Sequence, residues 1–191
     1  MDTIDALLSR ASASVLQEPA PEGDVLRQIL ETGLRAPDHG HLRPWHFVLI
    51  RGAARAAWAD KVAAAILVRD PETPPGLVER RRARINSIPL IVALGVKVRK
   101  GHKIPEIEQV LTVGAAAMNM LNALHALGFG GIWVSGANSY DPALVAALGL
   151  SPDDQLAGFL YIGTPAEPRA TPRRPALDEH LSEWTGAPAP A

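Results

Sequence analysis

The 191-residue chain has no cysteine, and that one absence removes disulfides, thiolate zinc sites, iron–sulfur ligation and a thiol nucleophile together. Any redox chemistry must therefore come from a bound cofactor. Neither sign of charge is in excess. Nineteen Lys and Arg face twenty Asp and Glu, so the chain has no overall field to hold a polyanion, and nucleic acid is not an expected partner. Long hydrophobic runs are missing too: the cleanest, Leu90 to Val96, is far below the ~18 residues of a membrane-crossing helix. The opening Met1-Asp2-Thr3-Ile4-Asp5 carries acids where a signal peptide carries cations. A soluble, cytoplasmic protein with no membrane partner is expected. With 47% hydrophobic and 20% charged residues a packed core is within reach, and the length fits one domain, alone or with appended segments.

What is abundant is punctuation. Sixteen Gly and seventeen Pro bunch at Pro19 to Gly23, Pro71 to Gly76, Pro165 to Pro175 and the last five positions, which marks the loops. Between them, Thr3 caps a short helix with Ile4, Leu7 and Leu8 on one face, and a second helix runs from Asp24 and stops at Ala36-Pro37. Trp45 to Ile50 reads as a strand, Ala53 to Arg69 and Leu77 to Asn86 as helices, and Leu90 to Val96 as a buried central strand. Pro105 opens a long helix that ends at Gly128. Its Gly114-Ala115-Ala116-Ala117 stretch lets another helix approach closely, inside the fold or across a subunit interface, and ordinary core packing explains it equally well. Gly130 to Gly136 is a strand running into a turn, Asp141-Pro142 opens a short helix closed by Gly149, and Leu156 to Gly163 is the last strand. Arg169 to Trp184 is rich in Pro and charge, with Leu177, Leu181 and Trp184 at helical spacing, as in an arm that buries only against something else.

Element order alone points to a parallel, doubly wound sheet. The dinucleotide fingerprint that often accompanies such a sheet fails, because Gly128-Phe129-Gly130-Gly131 is followed by Trp133 where a final glycine belongs, and it leads into a strand. There is no Walker loop either. A phosphate-bearing cofactor would have to be held by side chains.

Three clusters offer such chemistry. Arg10-Ala11-Ser12-Ala13-Ser14 presents a guanidinium, two hydroxyls and backbone N–H groups suited to a phosphate, although a solvated loop accounts for the same residues. Arg35-Ala36-Pro37-Asp38-His39-Gly40-His41, followed by Arg43-Pro44-Trp45-His46, holds three of the six histidines. A metallohydrolase using His39, His41 and His46 is one reading, against which stands the lack of an i, i+4 histidine pair on a helix. Arg35 has its own explanation as a helix-ending cation. The crowded glycines of Gly128 to Gly136 suggest a backbone that a planar ligand approaches, with Trp133 and Ser135 at the bend, or simply a strand that bends with Trp133 in the core.

Taken together, Arg10-Ala11-Ser12, Arg35 to His39 followed by Pro44-Trp45-His46-Phe47, Gly128 to Gly136, and Gly158-Phe159-Leu160-Tyr161-Ile162-Gly163-Thr164-Pro165 resemble the FMN-dependent nitroreductase family, most of all its small YdjA-type branch. The resemblance spans 1–171 in the family's order and leaves 172–191 as a tail or dimer-wrapping arm. It implies an α+β fold, a mixed, mostly antiparallel central sheet flanked by helices, in an intertwined homodimer with each flavin at the interface. That displaces the parallel-sheet expectation. By the same resemblance Arg10, Ala11 and Ser12 meet the FMN phosphate end, Arg35 and His39 reach that flavin from the other subunit, and Trp133, Val134 and Ser135 lie along the isoalloxazine. Arg169 is a further phosphate contact. NADH or NADPH would reduce the flavin and a nitroaromatic or quinone-like acceptor would reoxidise it in a ping-pong scheme, with no side chain in a catalytic role. The chain departs from the family where basic residues are common, at Ala11, Val15 and Val134. A flavin-binding sensory protein without turnover is the alternative those departures suggest. Positive charge near the flavin's pyrimidine edge would favour the reduced ring, and no residue of the sequence is assigned to that role.

Overall fold

The apolar run Leu90–Val96 becomes the centre of a five-stranded sheet, with all seven of its residues buried. The structure is a computed structural model that describes residues 2–167 and 173–186. In chain order it runs α1 (Thr3–Ser9), β1 (Leu16–Gln17), α2 (Gly23–Gly33), β2 (Trp45–Arg51), α3 (Ala54–Arg69), α4 (Pro75–Ser87), β3 (Leu90–Val96), α5 (Glu106–Ala126), β4 (Gly130–Val134), α6 (Pro142–Ala147) and β5 (Gln155–Pro165). Single 3-10 turns stand at His39–His41, Ala137–Tyr140 and Leu177–His180.

Every described pairing is antiparallel: β2 with β3, β3 with β5, β4 with β5, and β1 with β5. The doubly wound expectation fails for a topological reason. The β3–α5–β4 unit is a parallel crossover, but its two strands are not neighbours, because β5 inserts between them and runs antiparallel to both. Strand β2 reaches β3 through two helices, α3 and α4, which pack on each other and return the chain to an adjacent antiparallel position. The α+β fold with a mostly antiparallel sheet flanked by helices stands as expected.

Alternation along the strands feeds two cores. Leu90, Val92, Leu94 and Val96 point with Leu160 and Ile162 toward α2 and α5, where Ile29, Met120 and Leu124 are buried. Ile91 and Ala93 point with Phe159 toward α3, α4 and α6, against Trp58, Val62, Ile85 and Leu144. Each such aliphatic side chain contributes about 1.5 to 3 kcal/mol on leaving water. Within α5, Ala116 and Ala117 serve this internal packing, and a Cβ at Gly114 would stand 3.5 Å from the Trp133 ring.

Several local expectations shift. Asp2, not Thr3, caps α1 by accepting from the Ile4 amide. Pro105 is the residue before α5, which begins at Glu106. Asp141 caps α6 by accepting from the Ala143 and Leu144 amides, and also receives Arg69 at 2.5 Å. The spacing of Leu177, Leu181 and Trp184 yields one 3-10 turn with all three side chains exposed, so among the described residues no packing holds a longer helix there. Among the described residues no helix is long and apolar enough to cross a membrane.

Candidate functional site

The loop between α1 and β1 is short, and its small residues are what fix it. Ala11 and Ala13 are buried, and the Ala13 amide donates to the Gly131 carbonyl at 3.1 Å, which docks the loop on the start of β4. From the other side the Arg84 guanidinium of α4 donates to the Ser14 carbonyl. Ser12 stays exposed between the buried Ala11 and Ala13.

Arg10 is the unsatisfied member. Its Nε is buried with no hydrogen-bond partner among the described residues. Arg174 comes beside it, donating to the Arg10 carbonyl at 3.0 Å. Burial, and after it the Arg174 charge, hold the Arg10 guanidinium below the usual arginine value. Among the described residues neither arginine forms an ion pair. Two adjoining cations, one with an orphan donor, are destabilised alone and stabilised by an anion.

At the far end of the site β4 runs out. Its last ladder pair is Val134 with Phe159, so the Ser135 and Gly136 amides lie beyond the sheet. Trp133 is half exposed and fixed by donation from its Nε1 to the Ala157 carbonyl at 3.0 Å, while Val134 turns inward against the α3-side core. Gly158, at φ +124°, makes that arrangement possible: a Cβ there would stand 2.5 Å from the Val134 carbonyl oxygen and 2.8 Å from the Trp133 Nε1. Beside this strand end is a cavity of about 510 Å³, bounded by α3, α4, the end of β4, the middle of β5 and the turn Ala137–Tyr140. Val134, Ser135 and Gly136 line it together with Arg69, Arg81, Arg84 and Tyr161. Ser139 also reaches it, with a buried hydroxyl that has no partner among the described residues. Burial pushes the Tyr161 hydroxyl above the ordinary tyrosine value, and the charges of Arg84 and Arg81 oppose that rise. A second cavity, about 470 Å³ and mostly apolar beneath Tyr140, contains none of the residues singled out from the sequence.

Arg84 thus joins the Arg10–Ser14 loop to the cavity that Val134 and Ser135 line, since it donates to the Ser14 carbonyl and borders that cavity. Arg35 and His39 lie elsewhere in the chain. Arg35 is exposed just after α2, and the His39 Nδ1 lies 2.6 Å from Glu108 Oε2 on α5. No hydrogen bond or ion pair among the described residues joins either to Arg10, Ser12 or Ser135. Arg169 falls outside the described residues. The ligand set of a His-based metallohydrolase is not assembled: His41 and His46 are exposed, and no group of three or more His, Asp or Glu among the described residues could hold a metal ion. The cations that sequence reasoning missed are Arg81, Arg84 and Arg174. The signal for the first two was the crowding of Arg80, Arg81, Arg82 and Arg84 in one helix, which reads as a solvated face until α4 is seen against the cavity.

Comparison with known proteins identifies the family and the fold. Residues 7–164 match the sequence model of the Nitroreductase family. The chain is 39% identical over 165 residues, 86% of this chain and 89% of the relative, to an Escherichia coli (strain K12) protein whose provisional name is NAD(P)H nitroreductase YdjA. In fold it is similar to a nitroreductase-like family protein from Bacillus cereus, with a TM-score of 0.83 at 22% identity covering 97% of each chain. A Desulfovibrio desulfuricans protein solved in complex with FMN superposes with a TM-score of 0.74 at 27% identity, covering 100% of this chain and 99% of that one.

Proposed function

The chain belongs to the nitroreductase family, and we propose that it is an FMN-dependent oxidoreductase that takes hydride from NADH or NADPH and passes electrons to nitroaromatic or quinone-like acceptors. The observation that carries this reading is the buried Arg10 Nε, unpartnered among the described residues and beside Arg174, on a loop that Arg84 joins to the open cavity at Val134 to Gly136. A molecule with a phosphate at one end and a planar ring at the other fits that order of groups.

Bound FMN supplies the hydride chemistry, and the chain supplies the holding and the shielding. Arg10 and the Ser12 hydroxyl would bind the phosphate through charge-assisted hydrogen bonds, with the backbone of Ala11 beside them. Arg169 would add a further cation at the same end. The Ser135 amide, beyond the last ladder pair, would orient the ring, with Trp133 and Val134 lying along it. Nicotinamide donor and acceptor would use the same exposed ring in turn, which is the ping-pong order.

The active form in this reading is a homodimer. Ile107, Leu111 and Met118 recur on one face of α5 at helical spacing, exposed, and α1 beside it leaves Ile4, Leu7 and Leu8 exposed. Trp133 touches that same face at Gly114, so an interface there would run past the flavin site. Arg35 and His39, remote from Arg10 within one chain, would reach the flavin of the neighbouring subunit, and the tail 172–191, held to its own chain where Arg174 meets the Arg10 carbonyl, would wrap onto that subunit as an arm.

An absorbance spectrum of protein purified without added FMN, followed by NADH and NADPH oxidation with a quinone and with a nitroaromatic, tests the proposal. Flavin absorbance with acceptor-dependent oxidation is expected. Colourless protein that does not take up added FMN would overturn it. Because Ala11, Val15 and Val134 stand where the family often has cations, bound flavin without oxidation of either nucleotide would favour the non-turnover, sensory alternative.

A further inference from the structure

We infer that the cavity beneath Tyr140 is a second binding site, which takes a one- or two-ring aromatic molecule carrying a neutral hydroxyl donor, a phenol or a naphthol. The site stands whether or not the neighbouring cavity holds flavin.

The cavity measures about 470 Å³, within the range of small-molecule sites. It is bounded by α6, the turn Ser151 to Asp154 and the start of β5, and it shares only Ser139 with the cavity beside Val134. Leu150 and Leu156, both buried members of the α3-side core, give it an apolar wall, and Val145 and Ala146 of α6 extend that wall. Water against such a wall is poorly bonded, so an aromatic ring that displaces it gains affinity. Tyr140 is 80% exposed, a ring left in water at an apolar cavity, where it is available to lie against a planar ligand.

Two polar side chains of the lining are buried, and they set the chemistry of the ligand. The Asp154 side chain is only 6% exposed, and its Oδ2 accepts from the Lys97 Nζ and the Ser151 amide, each at 2.8 Å. Burial pushes its carboxyl up, but the hydrogen bonds from Lys97 and Ser151 outweigh burial and hold it below the ordinary aspartate value. It is therefore ionised at neutral pH and can only accept. A carboxylate offers about four acceptor sites, so these bonds leave it capacity for a ligand donor. Lys97 already balances its charge, which favours a neutral donor over a cation, and the carboxylate itself disfavours an anion. The second group is Ser139, 3% exposed, whose hydroxyl has no partner among the described residues. A buried hydroxyl in that state costs stability until something bonds it, and a ligand hydroxyl can accept from it as well as donate to Asp154.

Calorimetric titration of the protein as purified with 2-naphthol tests the inference, beside 2-methoxynaphthalene, which has the same rings and no donor. Saturable binding of 2-naphthol is expected, at least about tenfold tighter than that of the methyl ether, because the lost hydrogen bond is to a charged group. Ala146 is exposed on α6 and lines the cavity, so Ala146→Trp fills it while leaving the core residues in place. Affinity for 2-naphthol should fall at least about tenfold in that variant. Naphthol held equally well by Ala146→Trp would overturn the assignment, because it would then lie elsewhere, on the flavin or in the cavity beside Val134. Equal affinity of wild type for the two compounds would overturn it too, as would no binding of either. Should Ala146→Trp fail to fold, Pro152→Trp decides in the same way, since Pro152 is exposed and lines the cavity from the turn before β5.

Discussion

The His39 Nδ1 lies 2.6 Å from the Glu108 Oε2, a contact across 69 positions of sequence that ties the turn after α2 to the first turn of α5. The turn needs such a tie. Gly40, His41 and Arg43 all have positive φ, and the Asp38 carboxylate accepts from the amides of Leu42 and Arg43 to hold the chain there. Glu108 therefore aims the imidazole and does not build the core. Both side chains are substantially exposed, so Glu108→Gln should change the unfolding free energy by less than ~1 kcal/mol. FMN affinity should fall several-fold in the same variant, because His39 loses its orientation. Thermal unfolding and flavin titration on one preparation check both halves, and a large stability loss with unchanged flavin binding would show the pair to be structural.

Arg10→Ala should cost about 1.5 to 3 kcal/mol of FMN affinity, roughly ten- to over a hundred-fold in dissociation constant. The buried Nε has nothing else to bond among the described residues. Removing the guanidinium also relieves its repulsion with Arg174, so the apo protein should be no less stable than wild type. Fluorescence quenching of added FMN measures the first effect and denaturant unfolding the second. An affinity equal to wild type would remove Arg10 from the phosphate site.

Much of this site was legible from residue types, and the reasons differ from element to element. Leu90–Val96 could be read as a buried strand because seven consecutive apolar residues leave no polar face to expose. The length of α5 was legible from its proline entry and glycine exit. Sheet order was not, since the insertion of β5 between β3 and β4 depends on pairings between distant segments, which local periodicity does not encode. The two-residue strand β1 is too short to have a period at all. Arg10 and Ser135 could be picked out by their motifs, whereas Arg84 carries no motif. Its role comes from the reach of a long side chain across to Ser14, seventy positions away, and only packing decides that.

Tyr161 offers a test of the same cavity by pH. Burial holds its hydroxyl above the ordinary tyrosine value near 10. The folded protein therefore keeps that proton longer than the unfolded chain does. The stability contribution of the neutral hydroxyl is full below about pH 10 and is lost as pH rises toward the folded value. Wild-type unfolding free energy should fall over that alkaline window, and Tyr161→Phe should remove the Tyr161 share of the fall. Since Arg84 and Arg81 oppose the rise, Arg84→Gln should delay tyrosinate formation further, read by absorbance in flavin-free protein. Parallel pH profiles for wild type and Tyr161→Phe would mean that the hydroxyl is not shielded as its burial implies.

The exposed apolar face of α5 can be broken by one charge. Leu111 is 63% exposed, so Leu111→Glu leaves the core of the single chain intact and should change its intrinsic stability little. In a dimer that closes over Ile107, Leu111 and Met118, the same carboxylate would be buried without a partner, twice across a symmetric interface. Sedimentation equilibrium should find wild type at twice the chain mass and Leu111→Glu at the chain mass. The monomer should also lose FMN, because Arg35 and His39 would no longer reach the cofactor held at Arg10 and Ser135. A folded, monomeric Leu111→Glu that keeps wild-type flavin affinity would show that each chain holds its cofactor alone, and Arg35 and His39 would then need another role.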